Sequence, residues 1–241
     1  FHTAADGAEA IDAVADILDA DAAPLPADSA GAGQRRDALV HVAADALGYT
    51  FPCAGEPVLQ NVTLDAEPGL TVVTGPSGAG KSTLLELLAG LRTPSTGTVT
   101  AGRAHLVSQR PFVAAASVRD NLRLGNGAAD EALWHALRRV GLDGTVAAMP
   151  QSLDTVLGDD GFGLSAGQRA RLVLARALLS GAPVLLLDEP TAHLDAASTA
   201  TIHDLITELA ERRTVVAVTH RPELLETADR HHHLEPGQVR S

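Results

Sequence analysis

"LTVVTGPSGAGKSTLLELLAG" runs from Leu70 to Gly90, and its reading decides the fold. Leu70–Val73 is apolar and β-branched, the mark of a strand. Gly75–Ser82 then matches G-x-x-x-x-G-K-[ST] without a gap, and "STLLELLAG" continues with helical periodicity. Strand, glycine turn and helix in that order make a phosphate cradle. Gly75, Gly78 and Gly80 let the backbone approach an anion without Cβ clashes, with Pro76, Ser77 and Ala79 between them. Lys81 can reach β- and γ-oxygens, Ser82 can hold Mg²⁺, and Thr83 follows at the helix start.

Outward from the cradle, "VLLLDEP" at Val184–Pro190 sets an apolar run before two carboxylates. Such a run suits a strand buried on both faces. Its C-terminal end is where open α/β sheets bind ligands. Asp188 would serve Mg²⁺ and Glu189 would polarise an attacking water. Adjacent carboxylates are costly without a cation, which the metal and Lys81 supply. Gln109 ends the run "AHLVSQ" and can touch metal and water. His220 ends "TVVAVTH" and can donate to a γ-phosphate. Phe51 or Tyr49, upstream of the cradle, can stack on a purine.

The remaining chain reads as an α/β core with a helical insert at about 115–180. Hairpin-like strands are expected over "GTVTAGRAHLVSQ". Helices are expected near 81–90, 197–210 and after Pro222, and strands at 184–187 and 214–219. Residues 1–20 read as an amphipathic helix, with Ile11, Val14 and Leu18 on one face. Residues 21–36 are Pro/Ala/Gly-rich and read as a linker. "RHHHLEPGQVRS" reads as a last strand and turn, with a metal site or a residual tag as alternatives.

Composition bounds the partners. The 241 residues carry a formal charge of −12, which argues against a nucleic-acid surface. Lysine occurs once, at Lys81, and Cys53 is the single cysteine, which excludes an internal disulfide and fits a reducing compartment. There is no apolar run of about 18 residues. The start at Phe1 without Met reads as part of a longer protein.

The series Phe51, Gly75–Thr83, Gln109, Leu164–Gln168, Asp188–Glu189, Leu194–Asp195 and His220 resembles the nucleotide-binding domain of ABC transporters over about residues 37–241. The fold implied is a P-loop NTPase core of ABC-ATPase type with an antiparallel β subdomain and an inserted helical subdomain. ATP and Mg²⁺ are the implied cofactors, with Ser82, Gln109 and Asp188 at the metal and Glu189, His220 and Gln109 catalytic. Phe51 matches the adenine-stacking position better than Tyr49. The resemblance implies a head-to-tail pair of such domains. The signature turn Leu164, Ser165, Ala166, Gly167 and Gln168, with Asp195 of the following loop, would then serve the second domain's ATP. "LSAGQ" stands where LSGGQ is usual, and His193 where a small residue is usual.

The segment 1–20, "SQRPFVAAASVRDNLRLG" and "LDTVLGDDGFG" are similar to the exporter branch. That similarity implies a transmembrane domain on the same or a partner chain, at the cytoplasmic face of the plasma (inner) membrane. "GDDGFGLSAGQRARLVLARALL" resembles the CydD-type subunit of the heterodimeric thiol exporter of cytochrome bd assembly, implying a heterodimer and cysteine or glutathione as cargo. Alternatives are another exporter ATPase with lipid, drug or peptide cargo, an importer ATPase, or a non-transport ABC ATPase.

Overall fold

A computed structural model describes residues 40–52, 55–124 and 126–235. The helix expected at 1–20, the linker at 21–36 and Cys53 lie outside these residues. The architecture is α/β, with two sheets and a helical region.

The five-stranded sheet carries the core. β3 (Gly69–Thr74), β5 (Ala104–Val107), β6 (Val184–Asp188), β7 (Thr214–Val218) and β8 (Arg230–His233) pair in parallel in the order β5-β6-β7-β3-β8. Every residue of β6 and β7 is buried. This is why "VLLLD" and "TVVAV" are apolar throughout instead of alternating. Parallel pairing brings the C-terminal ends of β3, β5, β6 and β7 to one edge, and that edge holds the cleft.

The smaller sheet is antiparallel. β1 (Val42–Tyr49) sits between β2 (Leu59–Ala66) and β4 (Thr96–Thr100). Its buried side chains pack with α1 (Lys81–Leu88) in one core cluster that includes Leu47, Leu59, Leu84 and Leu88.

The hairpin expected over "GTVTAGRAHLVSQ" does not form. β4 pairs with β1 and β5 with β6, so the two neighbours in sequence part into different sheets. β4 is largely exposed, an edge strand, whereas "AHLV" has an apolar face that the buried β6 can cover. Pairing follows burial here, not proximity in sequence.

Between β5 and β6 the chain is helical: α2 (Val118–Arg123), α3 (Asp130–Arg139), α4 (Asp143–Ala147), two single 3₁₀ turns at Ser152–Asp154 and Asp159–Gly161, and α5 (Ala166–Leu179). Leu122, Leu133, Leu137 and Leu172 join these helices in the second core cluster. Buried Arg176 on α5 ties them together. Its Nε donates to Asn121 O at 2.8 Å, Nη1 to Phe112 O at 3.1 Å and Nη2 to Asn121 Oδ1 at 3.3 Å. Burial pushes this guanidinium down to about 10. α6 (Ala196–Ala210) and α7 (Pro222–Glu226) complete the chain.

Candidate functional site

The phosphate loop starts where β3 ends. Gly80, the residue before α1, has φ of 89°, a left-handed conformation that glycine adopts without penalty. A Cβ there would also come within 2.6 Å of Leu59 Cδ2. The loop is thus pressed against β2, and its polar surface is turned the other way. Lys81 Nζ donates to the carbonyls of Gly75 (2.8 Å) and Pro76 (2.9 Å), which holds the ammonium across the loop. A Cβ on Gly78 would meet nothing within 4 Å. The mouth of the loop is open enough for a tetrahedral anion.

A cleft of about 410 Å³ opens above the loop. Phe51, Ser77, Gly78, Gly80, Lys81, Ser82 and Thr83 line it from one side. Gln109, Asp188, Glu189 and His220 line it from the other. Each of these last four follows the end of a parallel strand, or closes it. Gly75, Pro76 and Ala79 belong to the same loop behind its lining; Ala79 is buried.

Phe51 faces the cleft, while Tyr49 is buried behind it, with rings 5.1 Å apart in an edge-to-face pair. Arg92 stacks over both, 4.9 Å from the Phe51 centroid, and donates to the Tyr49 hydroxyl at 3.2 Å. Phe51 is therefore fixed in orientation from behind, with a π-face left for a planar ligand.

Asp188 and Glu189 differ in environment. Burial pushes the Asp188 carboxyl above its ordinary value, opposed by a hydrogen bond from Ser82 and by the Lys81 charge. Burial also raises Glu189, opposed by His220 and Lys81 and reinforced by Asp188. His220 Nε2 lies 3.6 Å from Glu189 Oε1. Glu189 has φ of 49°, an uncommon backbone for a residue with a Cβ, costing roughly 1–2 kcal/mol. Its amide donates to Val218 O at 2.9 Å, so β7 holds the strained residue in place. Nothing in "LLLDEP" signalled this left-handed turn.

The donor set fits a nucleotide polyphosphate and a hard cation. One ammonium, a glycine loop and the Ser82 hydroxyl stand beside a carboxylate whose raised affinity for protons a dication would reverse. Ser82, Gln109 and Asp188 are the residues that could hold Mg²⁺.

Leu164–Gln168 and Asp195 do not join this cleft. Leu164 is buried, and Ser165 and Ala166 are exposed. Ser165 caps α5: its Oγ accepts from Gln168 N at 3.2 Å, and Gln168 Oε1 accepts from Ser165 N at 2.8 Å. Ala166 instead borders a second cleft of about 360 Å³ with Gln109, Arg110, Phe112, Arg169 and His193. Gly167 is fixed from within the chain, because a Cβ there would lie 2.8 Å from His193 O. Asp195 caps α6 through Ser198 N at 2.8 Å, and hydrogen bonds from Ser198 hold its carboxyl below the ordinary range.

Comparison with known proteins agrees with this geometry. The family model described as ABC transporter matches residues 59–192. A mycobactin import ATP-binding/permease protein of Mycobacterium tuberculosis is 36% identical over 228 residues, covering 87% of this chain and 39% of that protein. An ATP-dependent lipid A-core flippase of Burkholderia thailandensis is 35% identical over 206 residues, covering 79% and 35%. The chain thus spans well under half the length of these relatives. A bacterial Atm1-family ABC exporter solved with ATP bound shares the fold, with a TM-score of 0.76 at 24% identity over 89% of this chain and 40% of that one. No helix among the described residues is long and apolar enough to cross a membrane. The chain belongs to the ABC transporter family, as an ATP-binding domain of the kind that hydrolyses ATP.

Proposed function

We propose that this domain drives an exporter-type ABC transporter by binding MgATP in the cleft and closing on a second ATPase domain. The observation that carries this is the separation of the two anion-binding elements. The cleft gathers Phe51, the loop, Gln109, Asp188, Glu189 and His220, while the turn at Ser165 faces solvent outside it. A capped helix start outside the nucleotide cleft, bordering only a second cleft with no carboxylate in its lining, is available to a γ-phosphate held elsewhere.

Within the cleft, Phe51 stacks on the adenine and Lys81 neutralises the β- and γ-oxygens. Ser82, Gln109 and Asp188 would hold Mg²⁺, which when bound would screen the developing charge on the phosphates. Glu189 orients the attacking water and takes its proton, helped by burial that brings its carboxyl nearer to neutral pH. His220 donates to the γ-phosphate. Ser165, Gly167 and Asp195 complete the second domain's site, and Ala166 leaves that contact with one methyl group more than glycine would.

Exposed Val156 and Phe162, at 68% and 80%, lie in the stretch "LDTVLGDDGFG". They form the apolar contact for a transmembrane partner, and the proposed location is the cytoplasmic face of the membrane. Among the relatives are a mycobactin import protein and a lipid A-core flippase, and a lipid, drug or peptide cargo, or an importer role, is the alternative to the thiol reading. The thiol reading, with a CydC-type partner, rests on the signature-region sequence alone. Uptake of cysteine or glutathione into inside-out vesicles carrying the assembled transporter tests it.

Glu189→Gln in the assembled transporter should lower turnover by about 10²–10⁴-fold and leave ATP binding intact. Unchanged turnover would remove Glu189 as the base.

A further inference from the structure

The last strand carries a histidine pair that the nucleotide cleft does not use. β8 lies at the edge of the five-stranded sheet, parallel to β3. Side chains alternate along a strand, so His231 and His233 share one face and His232 takes the other. The register sets His231 beside Val72 and His233 beside Thr74. Both rings turn toward one atom: Thr74 Oγ1 lies 2.7 Å from His231 Nε2 and 3.0 Å from His233 Nδ1. A hydroxyl carries one proton, so it donates to one ring and accepts an N–H from the other. Two imidazole nitrogens thus converge on a single point, while their own residues stay exposed along the strand edge.

We propose that His231 Nε2 and His233 Nδ1 form a site for a borderline transition-metal dication of the Zn²⁺, Ni²⁺ or Cu²⁺ class. Imidazole suits these ions, whereas Mg²⁺ takes oxygen ligands, so the site does not compete for the metal of the nucleotide cleft. Metal–nitrogen bonds are about 2.0–2.1 Å, and the Thr74 hydroxyl fills the present meeting point of the two nitrogens, so the ion is taken up as both rings turn off that hydroxyl toward the exposed side of the strand. With two protein ligands the remaining positions fall to water, which makes the site exchangeable and weaker than a closed four-ligand site.

It lies beside the phosphate loop. Thr74 directly precedes Gly75, and Leu234 N donates to Thr74 O at 2.8 Å. Leu234 O is so close that a Cβ on Gly75 would stand 2.3 Å from it. Both ligands belong to β8, so the ion would sit beside the strand that delivers the chain into the loop and replace the two hydrogen bonds to Thr74, while the Leu234 backbone contacts stay in place. Because only the folded edge presents both nitrogens together, bound metal raises the melting temperature.

The test is calorimetric titration of the tag-free chain with Zn²⁺, with Mg²⁺ in excess, alongside paramagnetic resonance with Cu²⁺ as probe. One Zn²⁺ per chain is expected. Binding should weaken at least tenfold in His231→Ala and in His233→Ala and be unchanged in His232→Ala. The Cu²⁺ spectrum should report two nitrogen donors in the wild-type chain and in His232→Ala, and fewer in the other two. Melting curves without metal show that each variant is folded. If either alanine variant is not, His231→Gln or His233→Gln replaces it. Failure of the wild-type chain to bind a single Zn²⁺ overturns the proposal, as does His232→Ala weakening binding as much as the other two.

Discussion

Around Lys81 the chain closes a pocket on itself. Around Ser165 it presents a helix start capped by its own side chains and open to solvent. Both regions offer an anion the same physics: backbone N–H groups at the start of a helix, with small residues that leave room for a phosphate. They differ in what surrounds them. The first has four strand ends and the Phe51 ring within reach. The second has a capping box, the backbone of His193 behind it and no carboxylate base beside Ala166 among the residues lining its cleft. One site is furnished for chemistry and the other only for contact. On the proposed function, the lesson is that a domain can contain a full set of catalytic groups and still hold half of a working site.

Ser165→Asp would break that comparison most sharply. Aspartate caps a helix about as well as serine, so stability should stay within roughly 0.5 kcal/mol. ATP binding in the chain's own cleft should not change. Turnover of the assembled transporter should fall by about 10²–10³-fold, the scale of losing one charge-stabilising donor, because a carboxylate would then face the γ-phosphate. Paired binding and turnover measurements check it; turnover like that of the wild type would mean that the turn meets no phosphate.

The next effects concern how the turn is held. Arg176→Met removes three hydrogen bonds and leaves the carbonyls of Asn121 and Phe112 without that donor. Denaturant unfolding should show a loss of about 2–4 kcal/mol. Gly167→Ala forces a methyl group against His193 O, and a loss of about 1–3 kcal/mol is expected. In contrast, Gly78→Ala has open space but a left-handed φ of 81°, so it should cost less packing and more nucleotide affinity.

The last effect, seen only on acidification, tests the sheet that supports both regions. Burial, with help from Arg176 and Arg213, pushes His105 on β5 down to about 4 from 6.5. Above pH 6.5 it is neutral in both folded and unfolded chains. Below that the unfolded chain takes up a proton that the folded one refuses until about pH 4. Stability therefore falls across this window, by roughly 1–3 kcal/mol. His105→Gln should flatten that part of the profile, read as urea midpoints at pH 7 and pH 4.5. The raised carboxyls of Asp188 and Glu189 act with the opposite sign. Their ionised forms cost stability at neutral pH, and that cost fades on acidification, equally in both chains.

Much of the cleft was legible because its signals are local. The Gly75–Ser82 spacing and the unbroken apolar run before Asp188 each lie within one element. Strand ends are predictable places for Gln109 and His220 once the sheet is parallel. What could not be read depends on contacts distant in sequence. β4 and β5 look like a hairpin because they are adjacent, yet their partners are β1 and β6. Gly167 looked like a concession to a ligand, but His193 also demands it. The positive φ of Glu189 has no signature in the residue type, and neither does the burial of Arg176; that side chain is held by acceptors on Asn121 and Phe112, far upstream.

The account's central claim is that hydrolysis belongs to a pair of domains and not to one. The most direct measurement is ATP turnover per chain in a sample shown by light scattering to be strictly monomeric, set against the assembled transporter under the same conditions. Turnover lower by at least about 10²-fold in the monomer is the predicted result. A monomer that hydrolyses ATP at the assembled rate would contradict it.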